Sequence, residues 1–210
     1  MTYVRPAISL TVFFVVVTGF AFPLSIWAIG SVVFPSQAHG SLIHGANGGV
    51  IGSDLIGQRF TTPKYFHPRP SAAGGGYDAA NSSGTNLGPT SDKLVHGLND
   101  DPATKDIDGS FSGFEALATA YRKENGLASD AVIPADAVTR SGSGLDPDIS
   151  PANALLQVKR VADARHLPIE EVRALVTLHT AGRTLFLFGE PRVNVLRLNL
   201  ALDALDNVDP

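Results

Sequence analysis

The sequence predicts one N-terminal transmembrane helix followed by a single mixed α/β domain of the α+β class, placed outside the cytoplasm. A run of about 28 residues without any Asp, Glu, Lys, Arg or His covers positions 7–34, and about 20 suffice to cross a bilayer as a helix. The rest of the chain is long enough to bury one core. Helical periodicity dominates its second half, whereas short β-like stretches lie between glycines and prolines.

The uncharged run is interpreted as an uncleaved anchor. Its apolar core is longer than the 7–15 residues typical of a signal peptide, although cleavage would leave the same domain outside the cell in soluble form. Arg5 lies at the N-terminal end of the run, and the next cation beyond it is Arg59. The positive-inside rule therefore places residues 1–6 in the cytoplasm and the C-terminal domain outside.

Residues 35–49 are polar and rich in glycine, which predicts a solvated linker. His39 and His44 lie in it without a rigid scaffold or an acidic neighbour, so a metal site is not predicted there. The domain is predicted to cover residues 50–210. It begins with a β-like stretch at 50–60 that glycines interrupt, and this pattern favours a strand pair or a bulged strand.

Prolines at 63, 68 and 70 exclude a helix over residues 63–72 and remove backbone donors. The segment is therefore predicted to be stiff and extended. Its aromatic, imidazole and guanidinium side chains suit a contact with another protein. They suit equally a loop that packs on its own core. The candidate partner-contact residues are Tyr65, Phe66, His67 and Arg69.

Residues 74–90 form a long irregular stretch, which we interpret as an ordered loop. Residues 92–108 are acidic and include Asp100, Asp101, Asp106 and Asp108. A calcium loop would need a closing Glu that is missing, so a solvated surface excursion is predicted.

Three helices are predicted in the second half. The first covers 112–125, with Ser112 as its cap and Gly126 as its stop. The second begins after Ser150, and Pro168 opens a third, so that the two form a helical hairpin. Their predicted inward residues recur at helical spacing: Phe114, Leu117, Ala118, Tyr121, Leu155, Val158, Val161, Ala162, Arg165, Ile169, Val172, Leu175, Val176 and His179.

The end of the chain predicts one more strand and one more helix. Residues 182–192 contain a short apolar run closed by a turn, which is typical of a strand. Apolar residues at helical spacing then predict a last amphipathic helix ending near Asp206. They are Val195, Leu198, Leu202 and Leu205.

The candidate anion-binding residues are Ser141, Gly142, Ser143 and Gly144. Backbone amides of such a turn can surround an anion, and hydroxyls add donors. The run lacks the Gly-Lys-Ser/Thr core of a P-loop, and Asp146 and Asp148 would repel phosphate. A tight connection into the following helix is the alternative.

Composition and motifs point away from an enzyme. The chain has no cysteine, which excludes thiol catalysis and cysteine metal sites. No Gly-x-Ser-x-Gly, Ser-x-x-Lys or His-Glu-x-x-His pattern occurs, so no catalytic or metal-ligating residue is predicted. A net charge of −4 argues against nucleic acid as a partner.

Four motifs in this order behind one N-terminal span resemble the KdpC family, the C subunits of bacterial high-affinity potassium-importing P-type ATPases. They are YFHPRPSA at 65–72, GTNLGPT at 84–90, SGSGLDP at 141–147 and GEPRVNVL at 189–196. The resemblance extends over nearly the whole chain. Thr85 stands where the family usually has Ser, and Asp148 where it usually has His.

The resemblance implies a bacterial inner-membrane location and three partners: a channel-like potassium-translocating subunit, an ATP-hydrolysing subunit and a small single-span subunit. It implies an accessory subunit without a cofactor of its own. This subunit would support assembly and act as a chaperone that raises the ATP affinity of the catalytic subunit, with residues 141–144 contacting ATP jointly with it. The alternative is an extracytoplasmic cap near the potassium entrance, without nucleotide contact.

The predicted orientation bears on these alternatives. If the span runs from inside to outside, roughly 30 Å of hydrocarbon separates residues 141–144 from cytoplasmic ATP. An assembly and gating role through the span and the outer domain is therefore favoured. Small residues in the span would let another helix approach closely, and they are further candidate partner contacts. They are Gly19, Ala21, Ser25 and Ala28.

Overall fold

The computed structural model describes residues 3–45, 47–98 and 111–206. These residues form two compact units, Met1–Ser53 and Asp54–Pro210. The first unit contains the apolar helix and a small hairpin, and the second is a mixed helix and strand domain. The predicted fold class is confirmed in this respect.

The apolar helix covers Val4–Val33 with a mean hydropathy of 2.2, which is long and apolar enough to cross a membrane. It consists of α1 (Val4–Val16), a wider π-helical turn (Val17–Ala21) and α2 (Phe22–Val33). Pro23 is the second residue after the wider turn. Because proline has no amide hydrogen and its ring crowds the carbonyl four residues earlier, an irregular turn is expected at this point.

The range 35–49, predicted as a linker, contains regular structure. A short helix α3 (Pro35–Ala38) follows the span, and β1 (Leu42–His44) pairs antiparallel with β2 (Val50–Ser53). The register slips between Ile43 and His44, as in a bulge. The strand pair or bulged strand predicted within 50–60 is therefore only partly correct, because β2 lies in that range whereas its partner β1 lies earlier, and the two units divide after Ser53.

The second unit combines five helices and a three-stranded antiparallel sheet of order β3-β5-β4 among the residues that the structure describes. In this sheet Asp148 and Ile149 lie opposite Asn194 and Val193, and Thr180 also lies opposite Val193. In chain order the elements are α4 (Asp92–His96), α5 (Phe114–Glu124), β3 (Asp148–Ile149), α6 (Pro151–Arg165), α7 (Ile169–Leu178), β4 (Thr180–Ala181), β5 (Arg192–Asn194) and α8 (Val195–Asp206).

The core of the second unit lies between α6, α7, α8 and the sheet. Its central members are Phe66, Ile149, Val158, Val161, Val172, Val176, Val193, Leu198 and Leu202. The predicted helical hairpin is confirmed as α6 and α7. Ser150 caps α6 by accepting a hydrogen bond from the Asn153 amide at 3.1 Å, as predicted.

Three details of the helix predictions are wrong. The cap of α5 is Gly113 rather than Ser112. Leu155 and Ile169 are exposed instead of facing the core. On α6 the predicted inward residues Val158, Val161 and Ala162 are buried, and Ala154 and the polar residue Gln157 are buried beside them. The predicted stop of α5 at Gly126, which has a left-handed φ of +63°, is confirmed.

The predicted apolar strand within 182–192 is also wrong. The chain leaves the sheet after Ala181 and returns at Arg192, and the residues between them form an exposed loop. Leu185 and Phe186 have left-handed φ values of 52° and 62°, which a strand does not allow.

The long stretch at 74–90 is irregular apart from a 3-10 turn at Ala79–Asn81. The acidic excursion lies mostly outside the described residues, including Asp100, Asp101, Asp106 and Asp108. Its first residue, Asp92, begins the short helix α4.

Candidate functional site

The serine–glycine loop (residues 141–144) is a tight turn attached to the second unit. Its turn closes with the Gly144 amide donating to the Ser141 carbonyl at 3.3 Å. The Leu145 amide donates to the Ser143 hydroxyl at 3.1 Å, and the two serine hydroxyls lie 3.4 Å apart. Ser141 and Gly144 are buried, whereas Gly142 and Ser143 are exposed. Part of the donor set that an anion would need is therefore used inside the loop.

The loop also packs closely against the stretch at 71–84. The Ser83 amide and the Ser82 hydroxyl both donate to the Ser143 carbonyl at 3.0 Å. A Cβ added at Gly84 would lie 2.8 Å from the Gly142 carbonyl oxygen. A Cβ added at Gly144 would lie 2.6 Å from the Ser83 carbonyl oxygen. The glycines are therefore required by the close approach of two backbones, which supports the alternative of a tight structural connection.

Beside the loop lies a cleft of about 440 Å³, lined by Arg69, Asp136, Asp146, Asp148, Ser150, Glu190 and Arg192 among others. Arg69 pairs with Asp146 at 2.7 Å and Arg192 pairs with Asp148 at 3.0 Å. Burial raises the pKa of Asp148. The acids outnumber the arginines in this cleft, so it does not favour a phosphate.

The proline segment (residues 63–72) is held inside the domain by amide side chains. Asn199 accepts from the Phe66 amide at 2.8 Å and donates to the Phe66 carbonyl at 3.0 Å. Gln157 makes the same pair of bonds to His67, at 2.7 and 3.0 Å. These paired bonds imitate the ladder that a neighbouring strand would supply.

The four predicted contact residues of this segment are engaged within the domain. Phe66 is 0% exposed, so its side chain cannot reach a partner in this fold, and the core-packing alternative holds for it. The Tyr65 hydroxyl donates to Asp203 at 3.0 Å, and Arg69 pairs with Asp146. Tyr65, His67 and Arg69 are each half-buried.

His67 also forms a small polar group with Glu124 and Arg160. Its Nδ1 lies 2.6 Å from Glu124 Oε1, and the Arg160 Nε lies 4.0 Å from the same oxygen. The hydrogen bond from His67 lowers the pKa of Glu124. Arg160 donates to the carbonyls of Pro63 and Tyr65, at 2.7 and 2.9 Å, so the group ties α5 and α6 to the proline segment.

The span residues predicted as partner contacts lie on the apolar helix. Ser25 donates to the Ala21 carbonyl at 2.7 Å, so its hydroxyl is satisfied within the helix. Gly19 and Ala21 lie in the wider turn, and an added Cβ at Gly19 would meet no atom within 4 Å. Residues 4–29 of the helix are exposed in the chain by itself, so these side chains are open to an external neighbour.

Sequence reasoning missed the polar residues that hold the proline segment. Gln157, Arg160 and Asn199 are buried polar side chains on otherwise apolar helix faces. Their positions carried a signal: each lies beside a predicted core residue, at helical spacing from others.

Among the residues that the structure describes, no group of three or more His, Asp or Glu side chains is placed to hold a metal ion.

The comparisons with known proteins agree with the motifs. The family model KdpC, described as "K+-transporting ATPase, c chain", matches residues 4–204. A potassium-transporting ATPase KdpC subunit of Mycobacterium bovis is 51% identical over 200 residues, covering 95% of this chain and 97% of the relative. The KdpC subunit of Gemmatimonas aurantiaca is 50% identical, and the match covers 100% of this chain and 96% of the relative. The KdpC subunit of Caulobacter vibrioides is also 50% identical, and that match covers 97% of this chain and 94% of the relative. The chain therefore belongs to the KdpC family of K+-transporting ATPase c chains.

Proposed function

We propose that this chain is a membrane-anchored, non-catalytic accessory subunit of a potassium-importing ATPase, in which it holds the complex together. Family membership supports the accessory role in potassium import. The observation that carries the assembly role is the apolar helix, whose side chains find no burial within the chain itself. Its neighbours must be lipid or other helices. The proposed partners are the channel-like, ATP-hydrolysing and small single-span subunits.

Small residues in the span are the proposed points of close helix contact. Ser25→Leu and Ala28→Leu would hold a neighbouring helix away, because they add bulk where backbones would approach. Ile26→Leu and Ile29→Leu are matched controls, since they conserve volume on adjacent positions. We expect the first pair to reduce co-purification of the other subunits from native membranes several-fold, and the control pair to leave it unchanged. Equal recovery with both pairs would contradict the contact.

We also propose that residues 1–6 lie in the cytoplasm and the second unit outside it. Arg5 supports this orientation through the positive-inside rule. The absence of natural cysteines allows a clean test with single-cysteine variants. A membrane-impermeant maleimide should label Val132→Cys, whose parent residue is 92% exposed, in intact cells. It should label Thr2→Cys only after lysis, and the reverse pattern would invert the topology.

A second proposal is that the serine–glycine loop contacts ATP jointly with the catalytic subunit and raises its ATP affinity. The exposure of Gly142 and Ser143 supports it, whereas the proposed orientation and the acidic cleft favour a cap near the potassium entrance. In the assembled pump, Ser143→Ala should raise the KM for ATP if the contact exists. Ser82→Ala is the control, because its hydroxyl bonds the same loop without being part of it. An unchanged KM in both variants rejects nucleotide contact and leaves the cap.

A further inference from the structure

The loop between β4 and β5 ends in an exposed apolar tip (residues 184–189, TLFLFG). Four consecutive large side chains lie in solvent there, and Phe186 is 98% exposed. They are Leu185, Phe186, Leu187 and Phe188. A continuous apolar protrusion of this kind marks a contact site rather than ordinary surface.

Four backbone amides of the tip, those of Thr184, Phe186, Leu187 and Phe188, donate hydrogen bonds within the loop itself. The amides of Thr184 and Phe188 donate to each other's carbonyls at 2.8 and 2.9 Å. The Phe186 amide donates to the Arg183 carbonyl at 3.1 Å, and the Leu187 amide to that of Thr184 at 3.2 Å. Lipid offers no hydrogen-bond partner, so these internal bonds lower the free-energy cost of placing the tip at a membrane interface. A protein that docks by adding a strand would instead need free donors and acceptors.

Charge is confined to the base of the tip. Arg183 donates to both carboxylate oxygens of Glu190 at 2.8 Å, and Arg192 pairs with Asp148 at 3.0 Å. Residues 184–189 themselves carry no charge. This separation of an apolar end from a charged base matches the boundary between acyl chains and headgroups in a membrane.

We infer that this tip inserts into the lipid interface of the bilayer in which the chain is anchored, as a second membrane contact beside the span. The tip is convex, so it needs no complementary cavity, and lipid adapts to it. The second unit begins directly after Ser53, which tethers it covalently to the anchored unit and keeps a bilayer within its reach. This inference does not depend on the assembly role.

A single-tryptophan reporter tests the inference on the full chain in lipid nanodiscs, where both faces are accessible. Trp27 is the only natural tryptophan, so Trp27→Phe gives a silent background. Phe186→Trp then places the reporter at the tip. Val132→Trp is the matched control, because Val132 is similarly exposed on a different loop of the same unit. Unchanged protease resistance and circular dichroism verify that both variants fold.

We expect the Phe186→Trp emission to be shifted to shorter wavelength and quenched by lipids brominated on their acyl chains. Iodide should quench it severalfold less than it quenches the Val132→Trp control. If iodide quenches both reporters equally and brominated lipid quenches neither, the inference is wrong. The same measurement in the assembled pump separates lipid from protein. Protection from both quenchers there would show that another subunit covers the tip, and this would also overturn the inference.

Discussion

The proline segment and the apolar tip are two irregular stretches rich in large side chains, and they differ in how deeply these side chains are buried. The sequence predicts an extended segment at 63–72, whose aromatic side chains suit a protein contact and core packing equally, and a short apolar strand within 182–192. In the structure Phe66 is fully buried, whereas Phe186 is almost fully exposed. Hydrophobicity alone therefore did not decide which stretch enters the core.

The difference lies in how each backbone satisfies its hydrogen bonds. The proline segment enters the core because Gln157 and Asn199 replace the strand that its prolines cannot pair with. Four amides of the tip donate within the loop instead of pairing with the neighbouring strands. Burial thus followed the availability of polar partners on distant helices, which is a general requirement for burying backbone.

The largest effect should come from truncating Phe66, and truncating Phe186 is its matched comparison. Phe66→Ala is expected to cost about 3–5 kcal/mol of unfolding free energy, because it empties a filled core position. Phe186→Ala should change it by less than about 0.5 kcal/mol, as is typical of an exposed site. Urea unfolding of the detergent-solubilised full chain, followed by circular dichroism, measures both. Similar losses in the two variants would break the comparison.

Removing one amide side chain should have the next largest effect. Asn199→Ala leaves the buried N–H and C=O of Phe66 without partners, and we expect a loss of about 2–4 kcal/mol. The control is Asn81→Ala, whose exposed amide bonds only Asp78 among the contacts described. If both variants unfold at the same urea concentration, the paired bonds do not hold the proline segment.

The backbone that follows the proline segment packs closely against Gly144. Its φ is +68°, and an added Cβ would lie 2.7 Å from the Ala73 amide nitrogen. Gly144→Ala is therefore expected to cost about 1–3 kcal/mol. Gly142→Ala should be nearly neutral, because an added Cβ there meets no atom within 4 Å. The midpoints of thermal unfolding distinguish the two, and a neutral Gly144→Ala would contradict a structural role for this glycine.

The smallest effect concerns acid stability. The hydrogen bond from His67 lowers the pKa of Glu124, so its stabilisation is present above the unfolded pKa and is lost as pH falls through the folded pKa. The partly exposed carboxylate limits this contribution to less than about 1 kcal/mol. Glu124→Gln should lower stability at neutral pH and flatten its decline on acidification. Parallel pH profiles of the two proteins would show that the pair contributes nothing.

Local signals predicted much of the fold. The uncharged run predicted the long helix, and Ser150 with Pro151 predicted the start of α6, because both features act over a few residues. The strand at 182–192 failed since apolar content does not reveal a left-handed turn at Leu185 and Phe186. The pairing of Asn199 with Phe66 joins residues 133 positions apart, and a single sequence gives no direct measure of such a contact.

The candidate sites show the same limit. The sequence identified the serine–glycine loop, but Gly144 is required by the neighbouring backbone of Ser83 and Ala73, which local patterns do not reveal. Local patterns also do not reveal the burial of Phe66, because it depends on α6 and α8. The span residues could be placed on a helix from the sequence, and that helix is not buried within the chain itself.

The distance along the chain between Phe66 and Asn199 sets an order of events in folding. The proline segment is synthesised early, yet the helix that completes its hydrogen bonds is α8 at the end of the chain. Such non-local closure slows folding, because a long loop must close before the contact stabilises it. The nascent domain therefore remains open until its last helix has been made, and a chain truncated before residue 199 would keep its central aromatic side chain without a place to pack.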